Sequence, residues 1–326
     1  MVCYATTMKI FGKTDNKKPV SILGKWAKQK TGRCWAPSLD CENAPIRAHS
    51  MQNARILESI QEDGHVIGIE VFLKSGELHV GFRKIGRNKA TTFLGLCSHH
   101  DTEIFSHLDQ NLLDLNDDKT CLLLTWRAIT HEMAEKMEQG VKFQSEYQNK
   151  IDAGLTDGNT PDPMGMEAVM WMKVLYDFFQ YREEHVTPTI FSNQKRRLLF
   201  KRYVIKGTGA LLATSSFFVV QGHLNREPSY ISVNAFPING DTMVLFTILR
   251  KDLGVVMPII RSLLVKRELC PIRFSAFILS RVQNFVLSPS HFSQWSAEKV
   301  NAIEKAFASS GMDSDWLEPK EIYNLF

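Results

Sequence analysis

A chain of 326 residues, 44% hydrophobic and 23% charged, has the composition of an ordinary folded protein, which excludes disordered and fibrous classes. The length exceeds what one hydrophobic core usually organises, so the chain is expected to divide into more than one domain. The net charge is only +4, yet residues 1–50 hold nine Lys/Arg against three Asp/Glu, a distribution that suits either a solvated surface or an anionic partner.

The first residues carry lysines but no apolar run of secretory length. The longest apolar stretches, Ala210 to Val220 and Leu253 to Val265, are too short to cross a bilayer. A cytoplasmic protein without a membrane span is the expectation. Six cysteines in such a chain point to metal binding rather than to a disulfide framework, because cytosolic thiols stay reduced.

Residues 1–120 are read as a first domain. Cys34 and Cys41 bracket a turn containing Pro37. Ile46-Arg47-Ala48-His49-Ser50 reads as a strand end, followed by a helix over Met51 to Gln61 and by strands over Ile67 to Leu73 and Glu77 to Phe82. A basic loop with Arg83, Lys84, Arg87 and Lys89 leads into the apolar run Thr91 to Cys97. A helix is then expected over Asp101 to Leu108.

Residues 121–190 read as a helical hairpin, Thr125 to Ile151 and Met164 to His185 being joined by the Gly-, Pro- and Asp-rich loop at Asp152 to Pro163. The stripe Met164, Met166, Met170, Trp171, Met172, Tyr176, Phe178 and Phe179 is expected to be helix core. Residues 191–326 change character. Arg202 to Lys206, Thr214 to Gln221, Tyr230 to Phe236 and Thr242 to Leu249 predict an antiparallel meander. Leu253 to Val265, Arg273 to Leu287 and Ala297 to Ser309 predict helices, the last capped by Ser296. Strands followed by helices make the expected class α+β.

Thiolate and imidazole ligands suit Zn²⁺, and a structural site takes four of them in two sequence-local pairs. Cys34 with Cys41 forms one pair. Cys97 with a histidine of Cys97-Ser98-His99-His100 forms the other; both His99 and His100 are within reach, and His100, three residues on, is the ligand chosen. Cys3, Cys121 and Cys270 have no nearby ligand partner and read as ordinary thiols. No Gly-rich phosphate loop is present, and Ser215 and Ser216 follow no nucleophile-elbow pattern. The densest basic cluster of the last domain is Lys195, Arg196 and Arg197, which with Arg83, Lys84, Arg87 and Lys89 suits phosphate contacts.

A cysteine pair, then a histidine, then an apolar stretch ending in Leu96-Cys97-x-x-ligand resembles the zinc-stapled HNH (ββα-metal) nucleases, a treble-clef family also represented among uncharacterised bacterial proteins. The resemblance covers about residues 30–108. It implies a treble-clef zinc domain, a setting such as bacterial defence, and a metal-dependent endonuclease. His49 would be the general base, Asp101 a ligand of a second Mg²⁺ or Mn²⁺ ion, and Asn88 the residue holding the His49 loop; the residues alone equally allow His49 to cap or hydrogen-bond the following helix and Asp101 to be a carboxylate favoured in the first turn of a helix. Two positions depart from that pattern: Ala48 stands where a metal-binding residue usually precedes the base, and Phe105 where the helix usually offers its second ligand. The alternatives are a non-catalytic module that binds nucleic acid and a scaffold for a protein partner.

Overall fold

The computed structural model describes residues 32–326 apart from positions 38, 75, 76, 112, 193–196, 221–226 and 311–315. Its longer helices are α1 (Ser98–Gln110), α2 (Asp118–Asp152), α3 (Pro163–Tyr181), α4 (Leu253–Ser262), α5 (Pro271–Arg281) and α6 (Ala297–Ser310). The strands are β1 (Ile46–His49), β2 (His65–Lys74), β3 (Glu77–Gly86), β4 (Thr92–Leu96), β5 (Leu198–Ile205), β6 (Leu212–Val220), β7 (Ser229–Ile238) and β8 (Asp241–Leu249). Three short ones follow: β9 (Leu264–Val265), β10 (Glu268–Leu269) and β11 (Phe285–Leu287). The class is α+β, as expected.

A seven-stranded antiparallel sheet in the order β3-β2-β11-β6-β7-β8-β5 forms the middle layer. Its apolar alternation feeds two cores. On one face Phe217, Tyr230, Phe236 and Leu245 share a core with Trp126, Ile129 and Met133 of α2. On the other, Ile231, Val233 and Phe246 share one with Val256 and Ile260 of α4, Phe274 and Phe277 of α5, and Ile303 of α6.

The strands β2 and β3, expected within residues 1–120, thus continue the sheet built by residues 198–287. Side-chain bonds reinforce the join. Asn284 donates to Ser50 Oγ at 2.7 Å, Ser288 donates to Glu62 at 2.9 Å, and the Phe82 amide at the sheet edge donates to Glu304 of α6 at 3.0 Å.

Several expectations need correction. The last strands are no simple meander, since β5 pairs with β8 at the edge and not with β6. The helix expected through Leu287 stops at Arg281, and Phe285–Leu287 forms β11 instead; β-branched and aromatic residues there fill a gap between two strands, a tertiary contact that overrides local propensity. Arg83 and Lys84 lie in β3, not in a loop. Of the α3 stripe, Met164, Trp171 and Phe178 are buried, but Met166, Met170 and Tyr176 are exposed.

The helical hairpin forms where predicted. Asp117 starts α2 by accepting from the amides of Lys119 and Thr120, from Thr120 Oγ1 and from His107 at 2.8 Å. Gly140, inside α2, allows close approach of α3, for a Cβ there would come within 2.6 Å of Met172 Cε. Trp126 is fully buried, donates Nε1 to Thr187 at 3.1 Å and carries the buried Arg182 guanidinium on its ring at 4.5 Å.

Truncation at Trp126→Ala is therefore expected to lower the unfolding free energy by about 3–5 kcal/mol. Leu155→Ala, at a 70% exposed position, should change it by less than about 0.5 kcal/mol in the same denaturant titration. At Asp117, burial works against ionisation, but the His107, Thr120 and amide hydrogen bonds prevail and hold its carboxyl at about 2. Its stabilising contribution is present above the ordinary carboxylate range and lost as pH falls toward 2. Asp117→Ala should accordingly flatten the acid limb of the stability curve between roughly pH 4 and pH 2.

Candidate metal centre

Two segments far apart in sequence meet at the start of α1. The Trp35 amide donates to the Gly95 carbonyl at 2.7 Å, which docks the Cys34 segment alongside β4. Between the cysteines the chain turns back, with Leu39 in the left-handed region (φ 60°), its amide on the Ala36 carbonyl and its own carbonyl held by Arg33 at 2.9 Å. This places Cys41 opposite Cys97. The antiparallel pair β1 and β4 then delivers Cys97 to the helix N-terminus and His100 to its first turn.

Four ligand atoms converge there. Cys34 Sγ is 3.4 Å from His100 Nδ1, Cys97 Sγ is 3.3 Å from the same nitrogen, and Cys41 Sγ is 3.8 Å from Cys97 Sγ. All four donors lie within 4.8 Å of one another, so Cys34, Cys41, Cys97 and His100 can hold one metal ion. Cys34 and Cys97 are buried, Cys41 and His100 half-buried. The geometry chooses between the two histidines: His99 is exposed and faces Glu103 at 3.4 Å.

Burial pushes the Cys34 thiol up to about 11. The same burial opposes ionisation of Cys97, yet the His100 amide and the side chains of Cys34, Cys41 and His100 outweigh it and pull this thiol down to about 6. The cluster thus sets its most acidic thiol at the helix N-terminus, where backbone amides favour the ionised form. A cation is the natural counter-charge.

The residues of the expected nuclease centre are less complete. His49, at the end of β1, has Nδ1 3.0 Å from the Ala90 carbonyl. Burial, with Arg127 and Arg87 nearby, lowers its pKa against that hydrogen bond, so the ring is neutral at pH 7 and its other nitrogen can accept a proton. Asn88 does not hold this loop; its Oδ1 accepts from Asn53, and the backbone of Ala90 takes the role instead. Asp101 stands in the first turn of α1, its carboxyl raised by burial against the pull of Arg127.

Among the described residues, neither His49 nor Asp101 belongs to a cluster of three metal donors. Ala48 and Phe105, where further ligands would stand, are buried in the apolar core. His49 and Asp101 therefore offer no three-donor site for a second metal ion. Sequence reasoning missed Arg127: it is 4% exposed, lies over the Phe105 ring at 3.7 Å and acts electrostatically on both His49 and Asp101. The available signal was an arginine inside the apolar run Leu122 to Ile129.

Of the basic residues, Arg83, Lys84, Lys89 and Arg197 are exposed, whereas Arg87 pairs with Glu58. Lys195 and Arg196 lie outside the described residues. Cys3 does too; Cys121 is buried and donates to the Leu115 carbonyl, and Cys270 is half-buried. No helix among the described residues is long and apolar enough to cross a membrane. No family model, curated protein or solved structure matches the chain.

Elemental analysis of the chain purified without added metal is expected to find about one ion per chain. His100→Ala should lose most of it and His99→Ala should keep it; the reverse ranking would move the ligand to His99.

Proposed function

We propose that the four-residue cluster holds a structural Zn²⁺ and that the surrounding treble-clef, HNH-like region binds nucleic acid without cleaving it. The observation that carries the first half is the edge length of the ligand set. A tetrahedral zinc with bonds of about 2.3 Å to sulfur and 2.0–2.1 Å to nitrogen has S···S edges of about 3.8 Å and S···N edges of about 3.5 Å. The measured separations are 3.8 Å for Cys41 to Cys97 and 3.4 and 3.3 Å for the two thiols nearest His100. A cysteine turn, an antiparallel strand pair and a helix whose first turn supplies the second pair follow one another, the order that the HNH resemblance implies.

Zinc here would staple segments together and supply no reaction chemistry. His49 keeps the environment of a base, a neutral ring oriented by a backbone carbonyl. What is lacking is a fitted second ion, because core side chains replace its ligands at positions 48 and 105. Binding is therefore favoured over hydrolysis. Arg83, Lys84 and Lys89 offer exposed cations on and just beyond β3, and Arg47 and Arg33 are exposed near the metal cluster. A second reading, a scaffold for a protein partner, draws on the exposed Met166, Val169, Met170 and Tyr176 of α3.

Gel-shift titrations of duplex and single-stranded DNA and of RNA at two salt concentrations test this reading. Affinity should fall steeply with salt, and charge removal at Arg83, Lys84 and Lys89 together should reduce the slope of log K against log salt by about 3. Plasmid incubated with the protein and Mg²⁺ or Mn²⁺ should stay supercoiled. Nicking by the native chain that His49→Ala abolishes would restore the nuclease; salt-insensitive or absent binding would favour the protein scaffold.

A further inference from the structure

The three thiols of the metal cluster are not equivalent. Cys34 and Cys97 are 1% and 2% exposed, whereas Cys41 is half-buried and within reach of small solutes. Cys97 is fixed between the end of β4 and the first turn of α1, and its amide donates to Cys34 Sγ at 3.3 Å, which pins that second sulfur too. Cys41 follows the left-handed turn at Leu39 in a segment without regular secondary structure, so its sulfur moves at small cost. It already stands 3.8 Å from Cys97 Sγ, at van der Waals contact.

A thiol that coordinates a metal ion is deprotonated, and the thiolate is the form that peroxides attack. Of the three, Cys41 is the one a peroxide reaches first. Its sulfur takes one peroxide oxygen as the O–O bond breaks, giving a sulfenic acid and releasing hydroxide. Cys97 then attacks that sulfur, the S–O bond breaks and a second hydroxide leaves. Two thiolates, one hydrogen peroxide and two protons from solvent thus give one disulfide and two waters, with two electrons passing from sulfur to oxygen. Cys34 and His100 alone remain as donors, too few for a tetrahedral site.

We propose that the cluster is a peroxide-sensitive switch in which a Cys41–Cys97 disulfide replaces the metal ion. The inference rests on the zinc half of the reading above and is independent of nucleic-acid binding. The disulfide spans the same 56 residues that the ion spans, so the oxidised chain gives up its metal and keeps the two segments joined. A chelator, by contrast, removes the ion and leaves the segments without a link. The two metal-free forms therefore differ in stability.

Titration of the zinc-loaded full chain with hydrogen peroxide tests this, with zinc release followed by a chromogenic chelator and linkages mapped by mass spectrometry of an unreduced digest. Cleavage before Asp40 separates Cys34 from Cys41 and lets the map tell them apart. About one zinc should be released per Cys41–Cys97 disulfide formed, and dithiothreitol with added Zn²⁺ should reverse both. The oxidised chain should melt at a higher temperature than the reduced chain stripped by chelator. A linkage through Cys34, zinc release without a disulfide, or a melting temperature no higher than that of the stripped chain would each overturn the switch. A chain that binds no zinc before oxidation would overturn the metal reading itself, and the switch with it.

Discussion

Desolvation of the ligand cluster is the constraint on which the amino-terminal region depends. Three free thiols and an imidazole are drawn together from segments 56 to 66 residues apart, with Cys34 and Cys97 almost without exposure. Closing such a loop costs conformational entropy, and thiols make weak hydrogen bonds that return little of it. Nor can the sulfurs ionise together at these separations without a cation, because like charges repel in a site of low dielectric. A bound ion would resolve all three difficulties at once, since it would be one partner common to all four side chains. The Cys34 and Cys41 turn has no regular secondary structure to hold it otherwise.

From that cluster the architecture follows outward. β1 and β4 are adjacent in space but enclose residues 50–91, and that excursion is what supplies β2 and β3 to the large sheet. The metal region is consequently continuous with the sheet through β2 and β11, and it shares a core with α2. A basic surface on β3 is thus carried on the rim of a seven-stranded sheet, where the Glu304 bond to the Phe82 amide caps one of the open edge positions. The narrow join at β11 has the opposite effect: three residues pin the two halves of the sheet together and leave a cleft beside them.

Much of this was legible in the residues. The long α2 and α3 showed their helical spacing and the Gly/Pro loop between them, and β6, β7 and β8 showed β-branched runs with turn residues at their ends. The four residues of the candidate metal site were legible because their chemistry is scarce and their spacing local within each pair. What was not legible was long-range. Nothing in Phe285–Leu287 says that its neighbours are β2 and β6, so its apolar run reads equally as the end of α5. The choice of His100 over His99 needs the direction of two adjacent side chains on α1, which spacing leaves open. The exposed half of the α3 stripe depends on how little of that helix the rest of the chain covers.

Arg127 sharpens the distinction between binding and cleavage. A divalent ion at a phosphodiester would lower the pKa of bound water and take charge from the leaving oxygen. A guanidinium offers fixed donors and a permanent positive charge but no coordination site, so it can hold an anion and cannot generate a nucleophile. Here that guanidinium is stacked on Phe105, the residue standing where the HNH resemblance would put a metal ligand, and balanced electrostatically by Asp101 and Asp109. On the proposed reading, the ring occupies the place of the ligand, and the buried cation on its face serves Asp101 and Asp109 in place of an ion. His49 then retains the orientation of a base while lacking the partner that would make its proton transfer productive.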